Sequence, residues 1–234
     1  MRVNDRTPED GAVREARKQR TRRALLDAAL DLLEEGTFAS LSLRQVTRSA
    51  GVVPTAFYRH FENMEELGLV LIEESFGTLR AMIREARADP RTNEHVIRNS
   101  VAILVGYVHE HASHFRFIAG ERFGGMTVLR RAIRTEIRLF ASDLATDLAR
   151  MPGFQAWSAE DLQLMASLMV DTMVSTAHAI IDAPASDEAA EAEIIKAARR
   201  QLGMITLGVP DWRSSSPRTP RPATPSAMLE DVPS

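Results

Sequence analysis

Apolar residues recur every three or four positions along most of this chain, and this regularity limits the possible folds more than any other feature. Leu25, Ala28, Ala29, Leu32 and Leu33 form one stripe, stopped by Gly36. Leu67, Leu71, Leu79, Met82, Ile83 and Ala86 form a longer one that ends before Pro90. Ile97, Val101, Leu104 and Val108 make a third, and Leu129, Ile133, Ile137, Phe140, Leu144 and Leu148 a fourth, ending near Pro152 and Gly153. Leu162, Met165, Met169, Met173 and Ala177 continue the series, and Ile194, Ala198, Leu202 and Ile205 close it. A repeat near 3.6 residues places each set on one face of a helix, whereas a strand needs a repeat of two. Alternating segments flanked by turn pairs are missing, so the expected fold is all-α with about nine helices.

The chain has 234 residues, 44% of them hydrophobic, which is enough to bury a substantial core. There is no cysteine, which excludes disulfides and thiolate chemistry and makes a reducing cytoplasm the expected setting. The stretch from Met1 to Gly11 is polar and lacks the apolar centre of a signal peptide. A bilayer span needs an apolar run of roughly 18 residues, and no membrane span is expected.

Charge is unevenly distributed. Between Arg14 and Arg23 lie six basic residues (Arg14, Arg17, Lys18, Arg20, Arg22 and Arg23) and one acid, Glu15. From Asn63 to Trp212 there are 15 basic and 21 acidic residues, a net of −6. A basic arm on an otherwise acidic chain points to a local polyanion contact, the alternative being a solvated helix start. Residues 1–13 and 213–234 read as tails. The second carries five prolines among many serines and threonines, a composition that cannot easily repay ordering entropy.

The most informative segment is Ser40 to Phe61, SLSLRQVTRSAGVVPTAFYRHF. Ser42 can cap a short helix whose inner face is Leu43, Val46 and Ala50. Gly51 supplies a tight turn, and Pro54 can open a second short helix through Thr55, Ala56, Phe57, Tyr58, Arg59, His60 and Phe61. Helix, glycine turn and short second helix make a helix-turn-helix, whose second helix enters the DNA major groove.

With these residues in view, Thr21 to Leu67 resembles the DNA-binding domain of the TetR family of transcriptional regulators. The resemblance rests on the apolar first helix, Gly36, Ser42-Leu43-Arg44-Gln45-Val46, Ala50-Gly51-Val52 and the aromatic-rich helix ending His60-Phe61. Phe38 to Arg44, Pro54 to Phe61 and Glu66-Leu67-Gly68-Leu69 resemble more specifically its branch of unsaturated-fatty-acid repressors, FabR and DesT. That branch match continues more weakly through Phe115-Arg116, Glu121-Arg122 and the helix through Ile137. The resemblance implies a DNA-binding domain over residues 14–66 and a ligand-binding and dimerisation domain over 67–212. It implies that Tyr58 and His60 touch phosphates, that Thr55 with Pro54 and Ala56 sits at base edges, and that Arg44 approaches the groove or backbone. Ser42 bonds a phosphate or caps its helix, and Phe57 and Phe61 belong to the core. Where many family members carry a lysine after the recognition helix, this chain has Met64, then Glu65 and Glu66. Arg59 and the basic arm, with Arg20 and Arg22, can replace that phosphate contact, because neutralising cations are largely exchangeable.

Further along, Phe115, Phe117, Ile118, Phe123, Met126, Leu129, Met165, Met169 and Met173 form a Phe- and Met-rich set, which reads either as ordinary core or as an adaptable cavity. The branch resemblance favours a tunnel for the acyl chain of an acyl-CoA or similar lipid, with Arg116, Arg122, Arg130 and Arg131 as candidates for its phosphate-bearing head. This effector is a regulatory ligand, and no cofactor is expected. Leu164 and Leu168 lie off the Leu162-Met165-Met169 stripe, so this helix has two surfaces to bury, one of them against a partner subunit. By the family resemblance the last two helices, residues 159–207, form a homodimer interface suited to a palindromic operator. His109, His111 and His114 form H-x-H-x-x-H but lack cysteine and carboxylate partners other than Glu110, so they read as helix-end residues and not as a metal site. Nucleophile-elbow, Walker, dinucleotide and metalloprotease motifs are missing, which argues against an enzyme. Two other readings stay open: a TetR-like repressor answering to a drug or other apolar molecule, and a helical lipid-binding protein without DNA activity.

Overall fold

The apolar stripes all become helices in the computed structural model, which describes residues 8–213 apart from 35, 89–95, 152 and 185. In chain order these are α1 (Pro8–Leu32), a 3₁₀ turn at Phe38–Ser40, α2 (Leu43–Ser49), α3 (Pro54–Phe57), α4 (Met64–Ala88) and α5 (Val96–Glu110). There follow α6 (Ala112–Arg122), α7 (Thr127–Leu148), α8 (Ala159–Asp182) and α9 (Glu188–Leu207). Among the described residues there is no strand. Two boundaries differ from the sequence reading. The first helix begins at Pro8, inside the segment read as a tail, and α6 occupies a stretch for which no stripe was identified. Residues 214–234 of the proline-rich tail, and Pro90 and Pro152, lie outside the described residues.

The aliphatic face of α1 builds the start of the core. Leu25 and Ala29 are wholly buried, and Leu26 nearly so, whereas residues 12–20 are exposed. Residues 12–20 of α1 therefore form a solvent-facing stretch with local bonds such as Gln19 Nε2 to Glu15 Oε1 at 2.8 Å. From Leu25 the same core runs through Phe38, Val46, Phe57, Phe61, Leu67, Leu71 and Phe76 to Phe117, Leu129, Ile133 and Phe140. Each such side chain contributes about 1.5–3 kcal/mol on burial. The domain boundary expected at residue 66 thus falls inside α4 and inside one continuous core. At this junction Gly68 admits close packing: a Cβ there would meet Phe38 Cζ at 2.8 Å and Leu129 Cδ2 at 2.9 Å.

Three smaller apolar clusters complete the C-terminal half, where α8 packs against α5, α6, α7 and α9. One property of α8 departs from the expectation that no segment is apolar enough for a bilayer span. Over Ala159–Asp182 it is long and apolar enough to cross a bilayer, with mean hydropathy 1.5 in its most apolar window. Its buried side, Leu162, Met165, Ala166 and Ala177, is spent on neighbouring helices. Leu164 and Leu168 on another side are 55% and 50% exposed.

Candidate nucleic-acid interface

A capping box starts α2. The Gln45 amide donates to Ser42 Oγ at 3.3 Å, and the Ser42 amide donates to Gln45 Oε1 at 2.9 Å. Of the two roles open to Ser42, the geometry therefore realises the cap. Val46 and Thr47 turn inward, and the Thr47 hydroxyl is satisfied by Leu43 O at 2.9 Å. Arg44 and Arg48 remain exposed. The chain then reverses at Gly51, whose φ of +66° lies in the left-handed region that glycine enters without a Cβ clash. The Val52 amide closes the turn on Thr47 O at 2.9 Å.

Pro54 occupies the first position of α3, where its missing N–H costs nothing. Regular helix ends at Phe57, earlier than the sequence pattern suggests, because His60 N donates to Phe57 O at 2.8 Å in a tighter turn. Phe57 and Phe61 are buried with ring centroids 5.4 Å apart, so they anchor the segment from beneath. Pro54, Thr55, Tyr58 and Arg59 face solvent, Tyr58 at 64% exposure, while Ala56 is half-buried. An exposed tyrosine and threonine over two buried phenylalanines make a surface that offers hydroxyls and a methyl group outward.

The basic arm comes to this surface. Arg22 lies over the Phe61 ring at 5.3 Å. Burial holds the His60 imidazole below its ordinary pKa, and the positive charges of Lys18, Arg22 and Arg59 push it further down. His60 Nδ1 is buried without a hydrogen-bond partner among the described residues. Arg20, also expected at this site, is exposed on α1 and bonds Ala16 O at 3.4 Å. Lys18, placed in the arm but not in the site from the sequence, acts with Arg22 and Arg59 to lower the pKa of the same histidine. Its position four residues before Arg22 on one helix was the available signal. Met64, Glu65 and Glu66 have a structural explanation. They start α4, where Asn63 Oδ1 accepts from the Glu66 amide at 2.9 Å and the Glu66 carboxylate accepts from the Glu62 amide.

The residues expected around a ligand are dispersed. Leu129 is wholly buried and Met126 packs on the same core. Met165 sits in a second cluster, Met169 bridges two, and Met173 and Phe115 pack around Leu104 and Val108. Phe123 is 81% exposed, outside all of these. Of the four expected arginines, Arg116 pairs with Glu34 at 3.6 Å, and Arg130 donates to Gly124 O and to Thr127 Oγ1. Arg122 and Arg131 line one open cleft. The three histidines part ways: His109 meets Glu191 at 3.0 Å, His111 packs on Tyr107, and His114 Nδ1 lies 2.7 Å from Ser75 Oγ.

Known proteins give this geometry a context. A family model described as bacterial regulatory proteins, tetR family, matches residues 25–69. A second, described as a tetracyclin repressor-like C-terminal domain, matches residues 93–202. Among solved structures, the transcriptional regulator FadR from Bacillus subtilis, in complex with stearoyl-CoA, is 16% identical with a TM-score of 0.62; the match covers 80% of this chain and 98% of that one. The fatty acid degradation regulator FadR from Bacillus halodurans is 16% identical with a TM-score of 0.63, over 78% of this chain and 94% of its own. SmeT in complex with triclosan is 19% identical with a TM-score of 0.60, over 86% and 99%. These likenesses establish the fold.

Proposed function

We propose, since this chain belongs to the tetR family of bacterial regulatory proteins, that it represses lipid-metabolism genes, binding a palindromic operator as a dimer and answering to a long-chain acyl-CoA or similar lipid. The observation that carries the DNA half is the surface of exposed Thr55, Tyr58 and Arg59 over buried Phe57 and Phe61, with Arg22 of the basic arm 5.3 Å over the Phe61 ring. Cations of the arm and the recognition segment neutralise phosphates and fix orientation, while Pro54, Thr55 and Ala56 meet base edges. Arg44 approaches the groove or backbone, and Arg20 adds a phosphate contact. The His60 ring N–H donates to a phosphate, and the Tyr58 hydroxyl donates to another.

Two exposed apolar sets support a dimer. Leu164 and Leu168 on α8 join Met204 and Leu207 on α9, which are 69% and 74% exposed. Burying them against a second copy forms a four-helix interface, and the two-fold axis matches an operator palindrome. Reading heads about 34 Å apart reach successive major grooves together. A ligand alters that spacing only through its different affinity for the two arrangements.

The acyl half places the chain among Met126, Leu129, Met165, Met169 and Met173, with Phe115 alongside. It draws on the flexible methionines at the seams between clusters and on the likeness to a regulator solved with stearoyl-CoA. Phe123 belongs at the mouth of such a site. The likeness to SmeT with triclosan favours a second reading, an apolar drug-like effector in the same position. Titration with acyl-CoAs of increasing length separates the two. Affinity climbing with each added methylene, by about 0.8 kcal/mol, supports the lipid, and a Met169→Trp variant then loses the long-chain response. Indifference to length with response to aromatic drugs supports the second reading.

A further inference from the structure

Both tryptophans of this chain meet in one groove. Trp157 lies in the loop between α7 and α8, and Trp212 follows α9. Their ring centroids are 5.9 Å apart and their planes are tilted by 32°. With Val209, Pro210 and Arg213 they line an open groove of about 650 Å³. One wall is fixed: Trp157 and Val209 pack on the cluster of Phe154, Leu162 and Met165, and Trp157 meets the Phe154 ring edge-on at 5.2 Å. The other wall is the chain after α9, where the Asp211 amide donates to Gly208 O at 3.2 Å and Trp212 is 50% exposed.

The chemistry of this groove narrows its occupant. Arg213 is its one charged side chain, so it lacks the converging polar groups that orient a small polar ligand. Neighbouring aromatic rings suit instead a proline-rich segment, whose extended left-handed helix is ordered before it binds. This chain supplies such a segment. Pro217 and Pro220 are three residues apart, as are Pro222 and Pro225. A polyproline helix turns in about three residues and rises about 3.1 Å per residue, so each pair shares a face at a spacing of about 9 Å.

Two observations single out the chain's own segment. Between Arg213 in the groove and Pro217 stand only Ser214, Ser215 and Ser216, and Ser216-Pro217 is a pair that starts turns. So short a tether holds the prolines near the indoles at an effective concentration on the order of millimolar, which an untethered peptide does not match. Charge agrees as well. Residues 217–225 carry Arg218 and Arg221 and no acid, while Asp211 is exposed between Pro210 and Trp212.

We propose that the segment Pro217 to Pro225 turns back at Ser216-Pro217 and docks as a polyproline helix across Trp157 and Trp212 of the same chain. The prolines stack on the indoles, and Asp211 accepts from Arg218 or Arg221. Docking straps the end of α9 to the loop between α7 and α8.

The test follows tryptophan emission of the full chain, which reports on this groove because both tryptophans line it. Wild type is compared with a variant carrying Pro217→Ser, Pro220→Ser, Pro222→Ser and Pro225→Ser. The variant is expected to emit at longer wavelength and to be quenched more strongly by acrylamide. A synthetic peptide of residues 214–226 at about millimolar concentration should restore the wild-type emission. Unchanged emission and quenching in the variant overturn the proposal, as does a peptide without effect. In a Trp212→Phe background, which leaves Trp157 as the single reporter, the proline changes should still raise quenching; equal quenching there overturns docking across both rings. Protection that fades as the wild-type protein is diluted assigns the groove to the segment of another copy and overturns docking within one chain.

Discussion

The backbone amide of Phe38 donates a hydrogen bond of 2.9 Å to the carboxylate of Glu121, 83 residues away and itself buried. Phe38 stands between α1 and α2, in the segment matching the tetR-family model, whereas Glu121 lies in the last turn of α6, in the segment matching the C-terminal-domain model. Their neighbours reinforce the joint: the Phe38 and Phe117 rings lie 5.8 Å apart, and Arg116 pairs with Glu34. The other Glu121 oxygen, Oε2, is buried without a partner among the described residues. Glu121→Ala strands the Phe38 amide and is expected to cost about 1–3 kcal/mol, measured by urea denaturation. Glu121→Gln retains an acceptor oxygen and should lose less. An alanine variant as stable as wild type contradicts this role for the bond.

Gly68 tests the same junction from another side. With Phe38 and Leu129 atoms within 3 Å of its missing Cβ, Gly68→Ala must part α4 from the 3₁₀ turn and α7. Overpacking of this kind costs about 1–3 kcal/mol, and denaturation midpoints should fall accordingly. Gly77→Ala on the same helix meets nothing within 4 Å, so it serves as the control and should not destabilise.

In the recognition segment, positioning and reading separate by residue. Tyr58→Phe and His60→Ala should weaken binding to all DNA sequences by similar factors, since phosphate contacts carry no sequence information. Thr55→Ala should instead alter the preferred base at one operator position, by about 1–3 kcal/mol for a good base contact. Binding of an operator library to each variant checks both. A uniform loss for Thr55→Ala removes it from the base edges.

Stability should fall in mild acid. Burial, then the charges of His111 and Arg23, hold His114 below its ordinary 6.5, with Asp27 pulling the other way. The unfolded chain therefore binds a proton near pH 6.5 that the folded chain refuses. The stability present above that pH is lost as pH drops from about 6.5 toward the lowered folded value. His60 contributes in the same direction. Urea midpoints at pH values above and below 6.5 should show the loss, and His114→Gln should reduce it. An equal loss in the variant assigns the effect to other groups.

The helical stripes, the capped α2 and the Gly51 turn were legible in the sequence because each depends on spacing within a few residues, whereas the buried Phe57 and Phe61 followed from the family resemblance. The Glu121–Phe38 joint was not legible, since a hydrogen bond across 83 residues leaves no local pattern. Helix α6 was missed because Phe115, Phe117 and Ile118 interrupt a clean stripe; Phe117 faces the reading head, and Phe115 the opposite cluster. The stripe from Leu67 to Ala86 predicted α4 as a long helix, but the core it shares with α1 and α7 leaves no mark in that stripe. Arg116 and Arg130 looked equivalent to Arg131 as outward-facing cations until their internal partners were in place.

The central claim, that this chain reads a specific DNA site through the segment around Thr55 and Tyr58, is tested most directly by equilibrium titration of fluorescent duplexes. An operator selected from genomic fragments and a random duplex of equal length are compared at two salt concentrations. The account predicts that the operator binds tighter by roughly three orders of magnitude or more, and that both affinities fall as salt rises because Lys18, Arg22 and Arg59 displace counterions. Equal affinity for the two duplexes, or operator binding indifferent to salt, would contradict it.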